Sequence, residues 1–512
     1  MEKKTGWRKK IAALLSLVFA FSLPAACAGA QEADNACNWY EIFVRSYSDS
    51  NGDGIGDLAG VTAKLDYLEE MGYNGIWLMP IMPSPSYHKY DVTDYLSIDP
   101  QYGTMEDMRK LVSQCHARGI KIIIDMVLNQ SSTQHPWFIA ACDALRAGDM
   151  DNPYVDYYCF TKQPAQKYIP VSGTDWYYEE QFSGGGMPDL NLDSEAVFEE
   201  IRSIFAFWLQ DVGVDGFRLD AVTSYYAANT DLNVEFLRKI NALAKEIKPG
   251  CYIVGEAWTG LTEIARYYES GADSFFLFPA SQAEGYIARA IRARSRNAQS
   301  YMGYLTDVYA AIPEGLLAPF LGNHDTGRAV GSLQARSSLP RAKFAEGVLN
   351  MMGGATFTYY GEEIGMVGSG EDPNKRLAMY WSDGEMTQQP PGVTKIEYAY
   401  PSVEAQLADE NSLLAYCRAL NHMKLNFPAI ARGKNEFVYC DDYVLVMKRT
   451  YKEESLYIAV NFDAKNERSA DIGLSDLSLA ASLHAVSSPL TPAASIDGSQ
   501  LVISPYGIAI FQ

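Results

Sequence analysis

Short apolar runs alternate with helix-length amphipathic segments along most of this chain of 512 residues. Eight of the runs have the length and the β-branched content of buried strands. These predicted strands span residues 39–45, 75–80, 120–128, 215–221, 252–258, 274–278, 318–323 and 356–360. Helical patterns occupy most of the intervals, for example at 105–118, 196–212 and 234–247. Eight strands alternating with helices predict an α/β fold, the (β/α)8 TIM barrel.

Two intervals depart from this alternation and predict further parts of the fold. Residues 130–195 form a long stretch rich in Gly, Tyr and Pro where a short loop is expected after the third strand. Long structureless loops are rare inside compact domains, so we expect an inserted subdomain there, between barrel parts at 38–129 and 196–424. After residue 425 the pattern changes to short alternating strands, which predicts a C-terminal β-sandwich domain at 425–512.

The N-terminus has the layout of a secretory signal peptide, predicted to span residues 1–30. Basic residues precede an apolar run from Ile11 to Leu23, which is too short to cross a bilayer comfortably. Two cleavage sites are open: a lipobox ending at Cys27, which would carry a lipid, or an ordinary site at Ala28-Gly29-Ala30. We therefore expect an extracytoplasmic protein, either secreted or lipid-anchored at the outer face of a bacterial membrane.

Charge and cysteine content argue against several classes of partner. The chain has 42 Lys and Arg residues against 63 Asp and Glu, a net charge of −21 that repels nucleic-acid phosphates and anionic membranes. Eight cysteines without a CxxC pair support neither a disulfide scaffold nor a zinc or redox site, although Cys142 and Cys159 could pair in an oxidising compartment. We expect a monomer that binds a neutral ligand and no nucleic acid, with membrane contact only through the possible lipid anchor.

Acidic residues lie at the carboxyl ends of several predicted strands. Asp125 ends the third strand, Asp220 the fourth and Glu256 the fifth, and Asp325 follows the seventh. Any one of them could simply cap the following helix. In a barrel, however, these strand ends converge around one axis, so four such acids are expected at one mouth.

Converging carboxyl groups suit cleavage of a glycosidic bond, whose transition state resembles an oxocarbenium ion. One carboxylate attacks or stabilises that cation, while a protonated carboxyl group gives its proton to the leaving oxygen. The proton donor needs a raised pKa, which a neighbouring carboxylate supplies by repulsion. Arg218, two residues before Asp220 on the same side of the strand, is placed to stabilise the charge of Asp220.

The segments that contain these acids resemble the blocks of the α-amylase family (glycoside hydrolase family 13). The four blocks are Asp125-Met-Val-Leu-Asn129-Gln130, Gly216-Phe-Arg218-Leu-Asp220, Gly255-Glu256-Ala-Trp258 and Phe320-Leu-Gly-Asn323-His324-Asp325. A fifth, Met187-Pro-Asp-Leu-Asn191, resembles the family's block in the inserted subdomain, in bacterial secreted or lipoprotein members. The resemblance covers nearly the whole mature chain and implies a retaining enzyme.

The same resemblance implies roles for individual residues. Asp220 would be the nucleophile, Glu256 the acid/base and Asp325 the stabiliser of the transition state. Arg218 and His324 would contact the site. These five assignments are expectations carried over from the family, one matched position at a time.

The segment Tyr87-His88-Lys89-Tyr90-Asp91 resembles the floor of the subsite that holds the attacked sugar. Tyr90 would stack on the ring and His88 would hydrogen-bond to it. Exo-acting α-glucosidases of the family carry an acid three residues before that tyrosine. This chain has Tyr87 there, which favours an open cleft and internal cleavage.

Two positions depart from the family's pattern. Gln130 stands where His usually contacts the same sugar, and Gln can hydrogen-bond but cannot carry charge. Thr223-Ser224 stands where many endo-amylases have Lys-His, so the leaving-group side of the cleft differs. The expected function is an α-amylase that cleaves internal α-1,4 bonds of starch, glycogen or maltodextrins. An exo-acting α-glucosidase, a glucanotransferase and a catalytically weak glucan-binding relative remain the alternatives.

A loop with alternating oxygen donors predicts a structural calcium ion, the cofactor we expect. Side-chain or backbone oxygens recur at every second residue around glycines, as in the first part of an EF-hand loop. The predicted ligands are Asp49, Asn51, Asp53, Ile55 through its carbonyl, and Asp57. Related family members hold calcium at this motif. A second calcium site through Asn129 and Asp189 is a weaker alternative.

Overall fold

Eight parallel strands form a nearly closed barrel in the computed structural model, which describes residues 36–512 apart from positions 165, 183, 185, 228, 314 and 490. The strands are β1 (Asn38–Ile42), β2 (Gly75–Leu78), β3 (Lys121–Met126), β4 (Gly216–Leu219), β5 (Tyr252–Gly255), β6 (Ser274–Phe276), β7 (Leu317–Ala318) and β8 (Thr356–Tyr359). Consecutive strands β1 to β7 pair in parallel, and β8 pairs with β1. A single parallel bridge between Phe320 and Phe357 joins the β7 end to β8. The barrel prediction is confirmed.

Aromatic rings fill the lower part of the barrel interior. Trp39 on β1 stacks against Tyr252 at 5.1 Å and against Phe357 at 5.7 Å between ring centroids. Side chains alternate along a strand, so Glu41 follows Trp39 on the inward side, one step nearer the carboxyl end. The barrel therefore has an apolar floor beneath a polar mouth.

Helices surround the barrel as predicted, with small shifts at their ends. The principal helices are Leu58–Ala63, Leu65–Glu70, Met105–Ala117, Pro136–Ala147, Glu195–Ala206, Thr230–Ile247, Leu261–Tyr267, Tyr286–Arg292, Asn297–Ala311, Leu339–Asn350 and Leu413–Asn426. Thr230–Ile247 begins four residues before the predicted start because Asn229 caps it, accepting the N–H of Leu232. Glu195–Ala206 continues as a π-helical turn, Phe207–Val212, that ends at Gly213 with φ +92°.

The stretch after β3 has its own small sheet. Phe160–Thr161, Tyr168–Pro170 and Tyr177–Glu179 form three antiparallel strands beside the helix Pro136–Ala147. Phe138 of that helix packs edge-on against Tyr178 at 4.9 Å. This segment therefore has a helix and a small sheet of its own.

The last part of the chain contains two antiparallel sheets. The larger has the strand order Lys434–Cys440, Val444–Tyr451, Glu454–Asn461, Gly507–Phe511 and Leu479–His484. The smaller has the order Arg468–Asp471, Gln500–Ile503 and Ala494–Asp497. Val444 and Val446 meet Leu501 and Ile503 in one apolar cluster between the sheets. The neighbouring residues on the opposite face of the large sheet join the main core with the barrel.

Three further points concern the N-terminal segment, a possible disulfide and membrane-spanning helices. The predicted signal peptide and Cys27 lie outside the described residues. Cys142 and Cys159 are free thiols in the structure, so the possible pairing between them is absent here. Within the described part of the chain, no helix combines the length and the apolar character that crossing a membrane requires.

Candidate active site

The guanidinium of Arg218 joins three of the predicted carboxyl groups at the barrel mouth. It donates to Asp125 at 2.8 Å and to Asp220 at 2.5 Å, and lies 2.9 Å from Oε2 of Glu256. Arg218 and Asp125 are fully buried, while the side chains of Asp220 and Glu256 are 9% and 7% exposed. Strands β3, β4 and β5 are neighbours, so residues far apart in sequence meet at one cation. Little solvent screens these charges.

Glu256 has the environment of a proton donor. Its pKa is raised to about 7, chiefly by burial; Arg218 opposes this rise, and the charges of Asp220 and Asp325 support it. Its Oε2 accepts the backbone N–H of Ala221 at 3.0 Å. Ala221 has φ +45°, an uncommon left-handed conformation for a residue other than glycine. The left-handed conformation of Ala221, directly after Asp220, thus directs a backbone N–H at the carboxyl group of Glu256.

His324 and Asp325 form a second charged group, next to the first. His324 Nε2 lies 2.9 Å from Oδ2 of Asp325, and its Nδ1 lies 2.5 Å from Oε1 of Glu41. Burial alone would lower the pKa of His324, but the two carboxylates raise it to about 10. Burial likewise opposes the charge of Asp325, yet His324 and Arg376 hold its pKa well below the usual range. Asp325, with 31% of its side chain exposed, therefore presents a negative charge to the mouth.

Arg376 connects this group to the loop after β2. Its Nη2 lies 2.9 Å from Asp325 and 3.1 Å from Asp372. Tyr87 donates its hydroxyl to Asp372 at 2.5 Å. Asp372, from the segment after β8, thus brings a carboxylate to Tyr87.

Tyr90 and His88, the predicted floor residues, lie against the charged centre. The hydroxyl of Tyr90 donates to Asp125 at 3.1 Å and lies 2.7 Å from Nε2 of His324, and the two rings stack at 5.7 Å. His88 accepts the N–H of Tyr90 on Nδ1 at 3.2 Å. That bond requires the proton of a neutral imidazole to sit on Nε2, which leaves Nε2 as a donor. Burial lowers the pKa of His88, consistent with the neutral form.

Gln130 is buried at the same place. Its Nε2 donates to the carbonyl of Tyr90 at 3.3 Å, but its Oε1 has no hydrogen-bond partner. A buried acceptor without a partner costs free energy that a ligand hydroxyl would recover.

The predicted calcium loop is shaped by its own side chains. Asp49 accepts the N–H groups of Gly52 and Gly54, both at 2.7 Å. Slight burial raises the pKa of Asp49, but these amides outweigh it and the net pKa lies below the ordinary value. Gly54, sixth in the loop, has φ +89°, as the sharp turn of an EF-hand loop requires. Asn51 and Asp53 similarly accept the N–H two residues on.

Asp57 has a different local role in the structure. Its Oδ1 accepts the N–H of Gly60 at 2.6 Å and caps the helix Leu58–Ala63, and its Oδ2 accepts from Ser50. Across the described residues, no three His, Cys, Asp or Glu side chains converge as metal ligands. The oxygen donors of the loop fit calcium in kind, since Ca²⁺ takes carboxylate, amide and backbone oxygens. Calcium binding stays a prediction.

At the weaker candidate calcium site, the side chains of Asn129 and Asp189 form a hydrogen bond with each other. Asn129 donates its amide to Asp189 at 3.0 Å, and Asp189 also accepts the N–H of Gln181. Burial raises the pKa of Asp189 to about 7. This contact, with the bridge between Gln130 and Asp189, ties the inserted segment to the end of β3.

Sequence reasoning missed three charged residues of this mouth: Glu41, Asp372 and Arg376. Glu41 carries the same signal as the acids that were found, because it lies at the carboxyl end of β1. Asp372 and Arg376 come from the loop after β8, where no periodic pattern indicates which side chains turn inward.

Together, the fold and the mouth define a class of protein. Nucleophile-like and acid-like carboxyl groups share one buried arginine at the carboxyl end of a parallel barrel, where the active sites of such barrels form. Cleavage of a glycosidic bond uses two carboxyl groups whose environments differ, so that one is protonated while the other is charged. The protein is a barrel-type glycoside hydrolase.

Comparison with known proteins identifies the family. The model of the alpha-amylase catalytic domain matches residues 41–433, so the chain belongs to the α-amylase family. Alpha-amylase 3 of Dictyoglomus thermophilum is 34% identical over 434 residues, covering 83% of this chain and 84% of that protein. An oligo-1,6-glucosidase of Parageobacillus thermoglucosidasius is 30% identical over 513 residues, covering 83% and 90%.

Solved structures agree with this placement. Eubacterium rectale Amy13B superposes with a TM-score of 0.88 at 40% identity, covering 94% of this chain and 96% of that one. The alpha-amylase from H. orenii superposes with a TM-score of 0.81 at 34% identity, covering 93% and 99%.

Proposed function

We propose that this protein is an α-amylase that hydrolyses internal α-1,4-glucosidic bonds of starch, glycogen or maltodextrins with retention of configuration. The observation that carries the proposal is the contact of one guanidinium, that of Arg218, with both Asp220 and Glu256. Two carboxyl groups on one guanidinium are near enough to act on the same glycosidic bond, as the nucleophile and the acid/base of a retaining enzyme do.

In the first step, an oxygen of Asp220 attacks the anomeric carbon of the bound sugar. The bond between that carbon and the glycosidic oxygen breaks, and Glu256 gives its proton to the departing oxygen. With a pKa of about 7, a large fraction of Glu256 is protonated at neutral pH. Asp325, kept negative by His324 and Arg376, stabilises the positive charge that develops on the sugar.

In the second step, water releases the sugar from Asp220. The carboxylate of Glu256 takes one proton from the water, and the resulting hydroxide attacks the anomeric carbon from the opposite side. The ester bond to Asp220 breaks, which restores the Asp220 carboxylate and protonated Glu256. Two inversions at one carbon give net retention.

Internal cleavage is supported by the relatives named α-amylase and by Tyr87 in place of an acid. An exo-acting α-glucosidase or a glucanotransferase is the second candidate, because a relative at 30% identity is named oligo-1,6-glucosidase and Asp372 supplies a carboxylate beside Tyr87. The presence of Asp220, Glu256 and Asp325 argues against a purely glucan-binding relative.

Product analysis on soluble starch and on maltotriose separates these functions. We expect the wild type to shorten starch rapidly into mixed maltooligosaccharides. Asp220→Asn should lower the rate by about 10⁴-fold or more, because the nucleophile is lost. The exposed Asp211→Asn is the matched control and should keep wild-type rates. Untouched starch with glucose or longer chains formed from maltotriose would instead indicate an exo-glucosidase or transferase.

We further propose a structural calcium ion held by Asp49, Asn51, Asp53, the carbonyl of Ile55 and Asp57. It would tie the loop after β1 to the start of the helix Leu58–Ala63, away from the carboxyl groups that perform the chemistry. Calcium supplies charge neutralisation for a loop that otherwise concentrates three carboxylates.

We also propose that the protein acts as a monomer outside the cytoplasm, with residues 1–30 as the signal peptide. A glucan polymer does not enter a cell, so its depolymerase is needed outside. Intact-mass measurement of the exported protein distinguishes a lipid on Cys27 from free secretion.

A further inference from the structure

A cavity of about 460 Å³ lies outside the active site, between the helices that follow β6 and the segment that follows β7. The residues that line this cavity, which we call the arginine pocket, are Arg289, Arg292, Ala293, Ser300, Tyr304 and Gln334. Gln282 donates its N–H to the carbonyl of Leu321 at 3.1 Å, which joins the two segments where they leave β6 and β7. Gln334 comes nine residues after Asp325. The pocket is therefore formed by segments that begin at the same end of the barrel as the catalytic groups.

The arginine pocket lies in a strongly basic stretch of an otherwise acidic chain. Residues 289–296 include four arginines and no Asp or Glu, although the whole chain carries a net charge of −21. Arg292 lies 3.8 Å from Glu284, whose side chain is 91% exposed, so solvent screens that pair. No carboxylate of the described residues forms an ion pair with Arg289. The pocket thus presents positive charge that the protein itself neutralises only weakly.

Contacts within the protein hold both guanidinium groups of the pocket in place. Arg289 lies over the ring of Tyr304, 5.5 Å from its centroid, and that ring stacks on Tyr286 at 4.5 Å with an interplanar angle of 12°. Arg292 donates its Nε–H to the carbonyl of Ala288 at 3.1 Å, and its Nη2 donates to the carbonyl of Ala283. Side chains that are fixed before a ligand arrives lose less conformational entropy when it binds.

Paired guanidinium groups determine which kind of ligand the pocket fits. Each guanidinium presents N–H donors in a planar fork that matches the oxygens of phosphate and carboxylate groups. A phosphate monoester carries about 1.5 to 2 negative charges at pH 7, which two guanidinium groups can balance, whereas a carboxylate carries a single charge. The cavity is larger than a phosphate group, and it offers Ser300 and Gln334 to the hydroxyl groups of a sugar. The pocket therefore fits a phosphate group together with the sugar that carries it.

We propose that the arginine pocket binds the phosphate group of a phosphorylated glucan, as a second contact with the substrate outside the active site. This inference rests on the proposed function, because the hydrolysed polymer is what brings the phosphate to the pocket. Inorganic phosphate shares the same chemistry and serves as the probe of the site. Binding at one site raises the local concentration of the polymer at the other, so the pocket raises affinity without taking part in bond cleavage.

Exposed arginines elsewhere in the chain provide matched controls. Arg202 lies 3.4 Å from Glu199, and Arg418 lies 3.0 Å from Glu70. The side chains of these two arginines are 39% and 37% exposed. Replacement of either by Gln removes one positive charge, as Arg289→Gln does, but removes it from a surface ion pair. An effect that arises only from the net charge of the protein would appear in these controls as well.

The first experiment measures the binding of inorganic phosphate by isothermal titration calorimetry, without turnover. At low ionic strength we expect the wild type to bind phosphate, with an affinity that falls about 10-fold or more in Arg289→Gln. Arg292→Lys should also weaken binding, because it keeps the charge but loses the planar fork. Arg202→Gln and Arg418→Gln should bind like the wild type, and a thermal melt checks that each variant is folded. A wild type that does not bind phosphate would overturn the proposal.

The second experiment compares phosphorylated starch with the same starch after treatment with a phosphatase. We expect Arg289→Gln to raise KM on the phosphorylated starch by about 3- to 10-fold at unchanged kcat, and to leave both constants unchanged on the treated starch. Phosphate binding without a difference in the wild-type KM between the two starches would overturn the assignment to a glucan and leave inorganic phosphate as the ligand. A wild type inert on both starches would refute the proposed function, whereas phosphate binding that survives Arg289→Gln would refute the pocket alone.

Discussion

The Nδ1 atom of His324 lies 2.5 Å from Oε1 of Glu41, although 283 positions separate the two residues in the sequence. The contact joins the loop after β7 to the end of β1, past the end of the intervening strand β8. Glu41 is almost fully buried, with 2% of its side chain exposed, and it forms an ion pair with His324. It keeps the imidazole charged and turned so that Nε2 faces Asp325 and Tyr90.

Removing the negative charge of Glu41 should slow the reaction more than it weakens substrate binding. For Glu41→Gln we expect kcat on maltopentaose to fall roughly 10- to 100-fold, because His324 loses part of its charge and supports Asp325 less well in the transition state. KM should change by less than about 3-fold. The exposed Glu404→Gln serves as control, and steady-state kinetics with a thermal melt of each variant gives the answer. A large KM effect with unchanged kcat would contradict the assigned role.

The pKa of Glu256 predicts the alkaline side of the pH profile. A proton donor works only while protonated, and burial raises its pKa to about 7, so kcat/KM on starch should fall as the pH rises through about 7. The slope should approach about tenfold per pH unit above that value. The observed pKa belongs to the coupled carboxyl groups together.

A fluoride leaving group gives the matched control for this profile. Fluoride departs without a proton, so the first step on α-maltosyl fluoride should stay fast above pH 7. Glu256→Gln should accordingly lose far more kcat/KM on starch than on the fluoride, because kcat/KM reports the first step, whereas the second step needs Glu256 as a base with both substrates. If both substrates show the same alkaline limb in the wild type, Glu256 is not the group that limits starch cleavage.

Gln130 should matter more for activity than for stability. Replacement by Leu has a similar volume; it removes the buried Oε1 that has no partner but also the 3.3 Å hydrogen bond from Nε2 to the carbonyl of Tyr90, so we expect the melting temperature to change little. The same change removes a contact for a sugar hydroxyl, and kcat/KM should fall about tenfold. Calorimetry and kinetics on one protein preparation test both halves, and a lower melting temperature with unchanged kcat/KM would contradict the prediction.

Removal of the proposed calcium ion by a chelator should lower the thermal stability of the protein. With excess EDTA we expect the melting temperature of the wild type to fall by several degrees, since a ligand that binds only the folded state stabilises it by mass action. Asp53→Asn should melt lower and respond little to EDTA, whereas the exposed Asp307→Asn should behave like the wild type. Calcium content by mass spectrometry accompanies the melts. An EDTA response that persists in Asp53→Asn would place the ion elsewhere.

Much of the fold could be predicted because its signals are local. β-branched runs and amphipathic periods mark strands and helices wherever they stand in the chain, and all eight predicted strands overlap observed ones. The errors concern ends. The predicted strand at 318–323 is only Leu317–Ala318 in the structure, because the chain leaves the barrel at Pro319 to bring Asn323, His324 and Asp325 over the mouth.

The sequence by itself determined the barrel, and it determined that Asp220, Glu256 and Asp325 stand at strand ends, because alternation and strand order follow from the local pattern of apolar residues. Only the tertiary structure decided that Arg218 contacts two of these acids and that Glu41 charges His324. Those relations depend on how closing the sheet brings distant segments together. A carboxyl group acquires its pKa only from neighbours that the folded chain supplies.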